Sequence, residues 1–165
     1  MTSSSTAAPI MTSQQFLEHW QGHRALTRRV IDAFPEDKLF NYSVGGMRPV
    51  SALAMEFIGM AVPTLQGVIT GKWDQYAEAK ATTKAELLRQ WDDTTARINE
   101  LWPTIPAARF QEVDTAFGQW KMPIHDLLLY VVDNEIHHRG QGYVYLRELG
   151  IEPPPFYERG HPGDA

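Results

Sequence analysis

Residues 123–150 read PIHDLLLYVVDNEIHHRGQGYVYLRELG. Pro123 is suited to a first helical position and Gly150 to a left-handed cap, and no proline lies between them. At about 100° per residue, Ile124, Leu127, Val131, Asn134, His138, Gln141, Tyr145 and Leu149 share one face. That face begins and ends apolar, so it is expected to pack inward, and it turns polar only in its middle. A helix of this length with one such face must bury it against other elements.

Three further segments supply those partners. Thr12 or Ser13 caps a helix that Pro35 stops after Phe34, and Phe16, Trp20, His23, Thr27, Ile31 and Phe34 form its inward stripe. A second helix opens near Pro49 and runs to about Thr70, with Pro63 expected to kink it. Residues 71–81 form a linker in which Trp73 and Tyr76 are candidate anchors. Thr82 or Thr83 caps the third helix, Glu86 can close a capping box, and Leu87, Trp91, Ile98 and Leu101 give its apolar face before Pro103 ends it. Residues 104–121 show no sustained period, and no strand alternation or internal repeat is legible. Four helices of roughly 20 to 28 residues predict an all-α four-helix bundle. One domain over residues 12–157 is expected, with mobile tails over 1–11 and 158–165.

The composition excludes several classes of function. The chain has 165 residues, 43% of them apolar and 21% charged, which fits a folded domain with a single core. A net charge of −5 without a basic helix argues against nucleic acid as a partner. The absence of cysteine rules out disulfides, thiolate nucleophiles and cysteine-based metal sites. The weakly charged window from Pro49 to Gly71 approaches a membrane span, but Pro63, three glycines and several hydroxyl residues dilute it, so it reads as a buried helix and no membrane partner is expected. No cationic start precedes an apolar run, so the chain reads as cytoplasmic by default.

The polar centre of the last helix requires partners. Asn134 and His138 are one turn apart on the inward face, and a buried amide or imidazole left unpaired costs about 1–3 kcal/mol. They either hydrogen-bond within a polar layer or close together on an ion. Glu56 poses the same question among Leu53, Met60 and Pro63, since an inward carboxylate needs a partner or a raised pKa. His19 and His23, also four apart, form a competing pair without a third ligand in view. His137 points about 100° away from His138, with Asp133 placed to hold it.

Asn134-Glu135-Ile136-His137-His138-Arg139-Gly140-Gln141, followed by Tyr145-Leu146-Arg147 and Leu149-Gly150, resembles the last-helix signature of the DinB/YfiT-like superfamily. Met47-Arg48-Pro49, Gly71-Lys72-Trp73 and the closing Pro154–Tyr157 segment extend the resemblance over most of the chain. It implies a four-helix bundle, often dimeric, with a long crossover between the second and third helices. It also implies one divalent ion, commonly nickel or zinc, held by three histidines and water. Carried over by position, the ligands fall on Glu56, Asn134 and His138, of which only His138 is histidine. This oxygen-rich set makes a harder and weaker site for nickel or zinc. The centre is then either a modified metal site completed by water, or a lapsed one in which Glu56 hydrogen-bonds Asn134 or ion-pairs with His138.

Two functions follow from the resemblance. One is a metal-dependent transferase or hydrolase acting on a small molecule, with any thiol supplied from outside. The other is a non-catalytic bundle with a lapsed site that binds a small ligand or serves a stress response. The far side of the last helix, with Leu129, Val132, Ile136, Gly140 and Tyr143, is expected to pack against the same helix of a second copy as a homodimer.

Overall fold

A computed structural model describes residues 9–160. The expected tails fall in part on residues 1–8 and 161–165, which lie outside the described residues. The described residues form five α-helices: α1 (Ser13–Ala33), α2 (Glu36–Asn41), α3 (Val50–Thr70), α4 (Lys84–Leu101) and α5 (Ile124–Glu148). The four long ones close a bundle in which α1 and α3 each pack on both α4 and α5. The long crossover, residues 71–81, joins α3 to α4.

The ends of the helices follow from their sequence. Thr12 caps α1, its hydroxyl accepting from the Gln15 amide at 3.1 Å while the Gln15 side chain accepts from the Thr12 amide at 2.8 Å. Thr83 caps α4 through the Glu86 amide at 3.2 Å, whereas the Glu86 carboxylate reaches one residue further back, to the Thr82 amide at 3.0 Å. Gly150, at φ 72°, adopts the left-handed conformation just beyond α5. α3 continues through Pro63. By length and composition α3 would reach across a membrane, but 61% of its apolar window is buried inside the bundle.

Two elements depart from the sequence expectation. Pro35 starts the short helix α2 as well as ending α1. Residues 104–121, expected to be irregular, contribute most of an antiparallel hairpin of β1 (Val113–Ala116) and β2 (Trp120–Pro123), in the register Val113↔Pro123 and Ala116↔Trp120. Four-residue strands are too short to display an alternation. The turn between them, residues 117–119, is also unusual: Phe117 (φ 53°) and Gly118 (φ 70°) are both left-handed, a pair of conformations for which Asn-Gly is favoured. A bulky residue in that conformation costs on the order of 1 kcal/mol. Here the cost is offset by ring contacts from Phe117 to Trp73, Tyr76 and Trp120, at 5.2, 4.3 and 6.1 Å between centroids.

The core has two apolar halves. Trp20, Leu65, Ile98, Leu128 and Val132 belong to one; Ile31, Phe34, Leu53, Trp91 and Tyr145 belong to the other. Between them on α1 and α5 lies a buried polar layer of His23, Arg24, Thr27, Glu135 and Arg139. The five residues expected on the outer face of α5 do not stay together: Val132 is only 1% exposed, Ile136 and Tyr143 are half-buried, and Leu129 and Gly140 face out. A Cβ on Gly140 would meet nothing within 4 Å. Gly140→Ala is therefore expected to raise stability by about 0.5–1 kcal/mol through helix propensity, read as a higher urea midpoint. A lower midpoint would mean that another backbone approaches there.

Candidate functional site

Four elements converge around Glu56. On α3, Glu56 and Met60 are one turn apart and share a face. On α5, Leu127, Tyr130 and Asn134 follow the three- and four-residue steps of a single stripe. On β2, Trp120 and Met122 are alternate residues and point to the same side. Tyr76 comes from the crossover, which runs over α3 at glycines: the Ala77 amide donates to the Gly59 carbonyl at 3.2 Å, and the Trp73 ring occupies the space where a Cβ of Gly67 would stand.

Apart from Asn134 and Trp73, these side chains line an open cavity of about 390 Å³. Its walls are mostly apolar, and Glu56 is the charged residue among them. Trp120, Tyr130 and Tyr76 at its margin are 43%, 53% and 38% exposed, an uncommon outlay of aromatic surface unless something covers it. A neighbouring cavity of about 370 Å³ shares Tyr76 and Trp120 and adds Asp74 and Phe117. Burial, then the neighbouring Tyr130 and Glu56, push the Tyr76 phenol above its ordinary pKa, so it stays protonated at neutral pH.

The three expected ligands are placed as follows. Glu56 is half-buried at the cavity wall, and Asn134 Nδ2 donates to its Oε1 at 3.1 Å. Arg48 Nη1 donates to the other oxygen, Oε2, in an ion pair. Burial works against the charge on Glu56, but the hydrogen bonds from Arg48 and Asn134 outweigh it and hold the carboxyl below its ordinary value. His138 is half-buried, stacked on Phe57 at 6.1 Å, with Gln141 Nε2 3.0 Å from its Nδ1. With the amide in that orientation Gln141 donates, and the ring proton lies on Nε2. Burial lowers the pKa of His138, Glu56 raises it, and Arg48 and His137 lower it further, with a net downward shift.

This arrangement corrects the expected divalent cofactor, nickel or zinc. Among the described residues no three His, Cys, Asp or Glu side chains are grouped so as to hold an ion. The donors explain why: the cation beside Glu56 is Arg48, Asn134 turns its amide nitrogen to the carboxylate, and His138 Nδ1 is occupied. Arg48, eight residues before Glu56, reaches it along roughly two turns of helix from just outside the start of α3.

His19 and His23 are in edge-to-face contact at 4.6 Å. His23 is directed into the buried layer, where Arg139 Nη2 and Arg159 Nη1 approach its two ring nitrogens at 3.0 and 2.9 Å. Of that layer, the sequence places His23 and Thr27 on the inward stripe of α1, whereas Arg24, Glu135 and Arg139 are not anticipated there. Glu135 is 1% exposed and accepts from the Thr27 hydroxyl at 2.5 Å, with Arg24 Nη1 4.0 Å away. Arg139 donates to the His23 carbonyl and Thr27 hydroxyl, both at 3.1 Å. Tyr130, Trp120 and Met122 are not anticipated as cavity residues either, since their exposure depends on how the hairpin and crossover lie over the bundle.

The model of the DinB family matches residues 1–163. The chain is 24% identical over 151 residues to Bacillus subtilis YjoA, covering 89% of this chain and 97% of that one. It is 24% identical over 165 residues to B. subtilis YrdA, covering 88% of each. Among solved structures, the DinB-like protein YjoA of B. subtilis has a TM-score of 0.71 at 19% identity, covering 87% of this chain and 97% of that one. A DinB-like protein from Bacillus cereus ATCC 10987 has a TM-score of 0.70 at 18% identity with the same coverage. The sequence match and the helix arrangement agree, and the chain belongs to the DinB family.

Proposed function

We propose that the protein is a non-catalytic bundle that binds a small, largely apolar ligand in the cavity beside Glu56, its ion-holding centre having lapsed. One observation carries this reading: both oxygens of the carboxylate at an open, aromatic-walled cavity are engaged by protein donors, Arg48 and Asn134. A centre closed internally in this way offers no strong Lewis acid to a substrate, whereas the apolar walls offer area that water solvates poorly. The cavity falls within the size range of small-molecule sites, roughly 300–1,000 Å³.

Methionine methyl groups give a direct test. Met60 and Met122 line the cavity, whereas Met47 is exposed and does not, and Met11 belongs to a separate cavity of about 430 Å³. Titration of methyl-labelled protein with benzyl alcohol is expected to shift the Met60 and Met122 resonances saturably and leave that of Met47 in place. Equal movement of these three, or none, would overturn the reading.

A further inference from the structure

The charge of the cavity indicates what class of ligand it takes. Among the described residues, its wall carries one carboxylate, Glu56, and no lysine, arginine or histidine. The adjoining cavity repeats the pattern with Asp74. Between the two stand the exposed rings of Tyr76 and Trp120, with Tyr130 at the margin of the first. Aromatic faces carry negative electrostatic potential and attract cations within about 6 Å. Phe117 is held in a left-handed conformation with its ring against both Tyr76 and Trp120, so this aromatic wall is built at a backbone cost.

From this juxtaposition we propose that the cavity binds an organic cation, a protonated amine on an aromatic or aliphatic body, with Glu56 as its anionic partner and Tyr76, Trp120 and Tyr130 as its walls. The proposal rests on the reading of the cavity as a small-ligand site and names the ligand's class. Glu56 has capacity for it: a carboxylate offers about four lone-pair positions, and Asn134 and Arg48 each take one. Arg48 is the competitor. Its side chain is 49% exposed and meets Glu56 without lining the cavity, so an incoming ammonium shares the carboxylate with it or displaces it into water.

Three probes of one shape and different charge separate the possibilities: benzylammonium, benzyl alcohol and benzoate, each titrated at neutral pH against the Met60 and Met122 methyl signals. Benzylammonium is expected to bind about tenfold more tightly than benzyl alcohol, and benzoate more weakly than either. The variants should move the cation in opposite directions. Glu56→Gln brings benzylammonium down to the level of benzyl alcohol, whereas Arg48→Met, which frees the carboxylate, strengthens benzylammonium binding by about threefold or more. Because Glu56 lines the cavity, the readout in each variant is the ratio of benzylammonium to benzyl alcohol affinity, which cancels any effect common to the two probes. A general loss of structure would weaken every probe in both variants and is excluded by that contrast. Equal affinities for benzylammonium and benzyl alcohol, a preference for benzoate, or weaker cation binding in Arg48→Met would overturn the cation assignment while leaving the small-ligand reading intact. If no probe moves Met60 or Met122, both fall together.

Discussion

Arg24→Met is expected to cost about 3–5 kcal/mol of stability near neutral pH, the range for breaking one side of a buried ion pair. Arg24 is 1% exposed, donates from Nε to the Thr95 hydroxyl at 2.8 Å and from Nη2 to the Trp91 carbonyl at 3.0 Å, and lies 4.0 Å above the Trp91 ring. Burial pushes its pKa down to about 10, with Glu135 and Asp92 pulling it back up, so it remains charged at neutral pH. Methionine keeps much of the volume but removes the donors and one of the two cations that support Glu135. The loss should also depend on pH. Burial raises the Glu135 pKa above its ordinary value, while Arg24, Thr27 and Arg139 oppose the rise. A carboxyl raised in this way contributes stability that is present below its unfolded pKa and lost as pH rises through the folded one. Without Arg24 the folded value climbs further, so the variant should weaken more between about pH 5.5 and about pH 8 than the parent does. Urea unfolding at the two pH values measures both effects. Adding Glu135→Gln to Arg24→Met should flatten the extra pH dependence and recover part of the loss. A single variant within about 0.5 kcal/mol of the parent at both pH values would show that the pair is not a structural element.

The same layer shows where sequence reading reached its limit. Caps and breakers at Thr12, Pro35, Thr83, Pro123 and Gly150 are local signals, acting over one turn of chain, and the helix ends follow them. Periodicity alone gives α5 a single inward stripe centred on Asn134 and His138. The helix packs on both α1 and α3, however, so its buried surface is broader than one stripe. Asn134 meets Glu56 on α3, whereas Glu135 and Arg139, about 100° round, meet Thr27 and His23 on α1 and are the more deeply buried. A Glu and an Arg four residues apart ordinarily mark a solvated helix face, and their true partners lie far away in the chain. Glu56 and Asn134 were legible as polar residues out of place in apolar surroundings. Arg48 and the cavity were not, because they depend on how the crossover and hairpin are laid over the bundle.

Gly59→Ala tests that placement. A Cβ at residue 59 would stand 2.2 Å from the Ala77 carbonyl oxygen. The clash is with main chain, so no side-chain rotation relieves it, and the crossover must rise by more than an ångström, breaking the Ala77–Gly59 hydrogen bond. Tyr76, the neighbour of Ala77, moves with it and the cavity loses one wall. The crossover is largely exposed, so the bundle itself should survive. About 1–3 kcal/mol of overpacking is partly offset by up to about 1 kcal/mol of helix propensity, and the net loss in urea unfolding should not exceed about 2 kcal/mol. Two other readouts should move strongly. Trypsin cleavage after Lys72 and Lys80, which flank the segment, should quicken about tenfold as its docked population falls, and benzyl alcohol binding at Met60 and Met122 should weaken by a similar factor. Gly140→Ala supplies the control, since it adds the same methyl group to a helix without a neighbour to strike. Parental cleavage and binding in Gly59→Ala would mean that the crossover accommodates the methyl group in place, and that the cavity wall does not depend on the glycine beneath it.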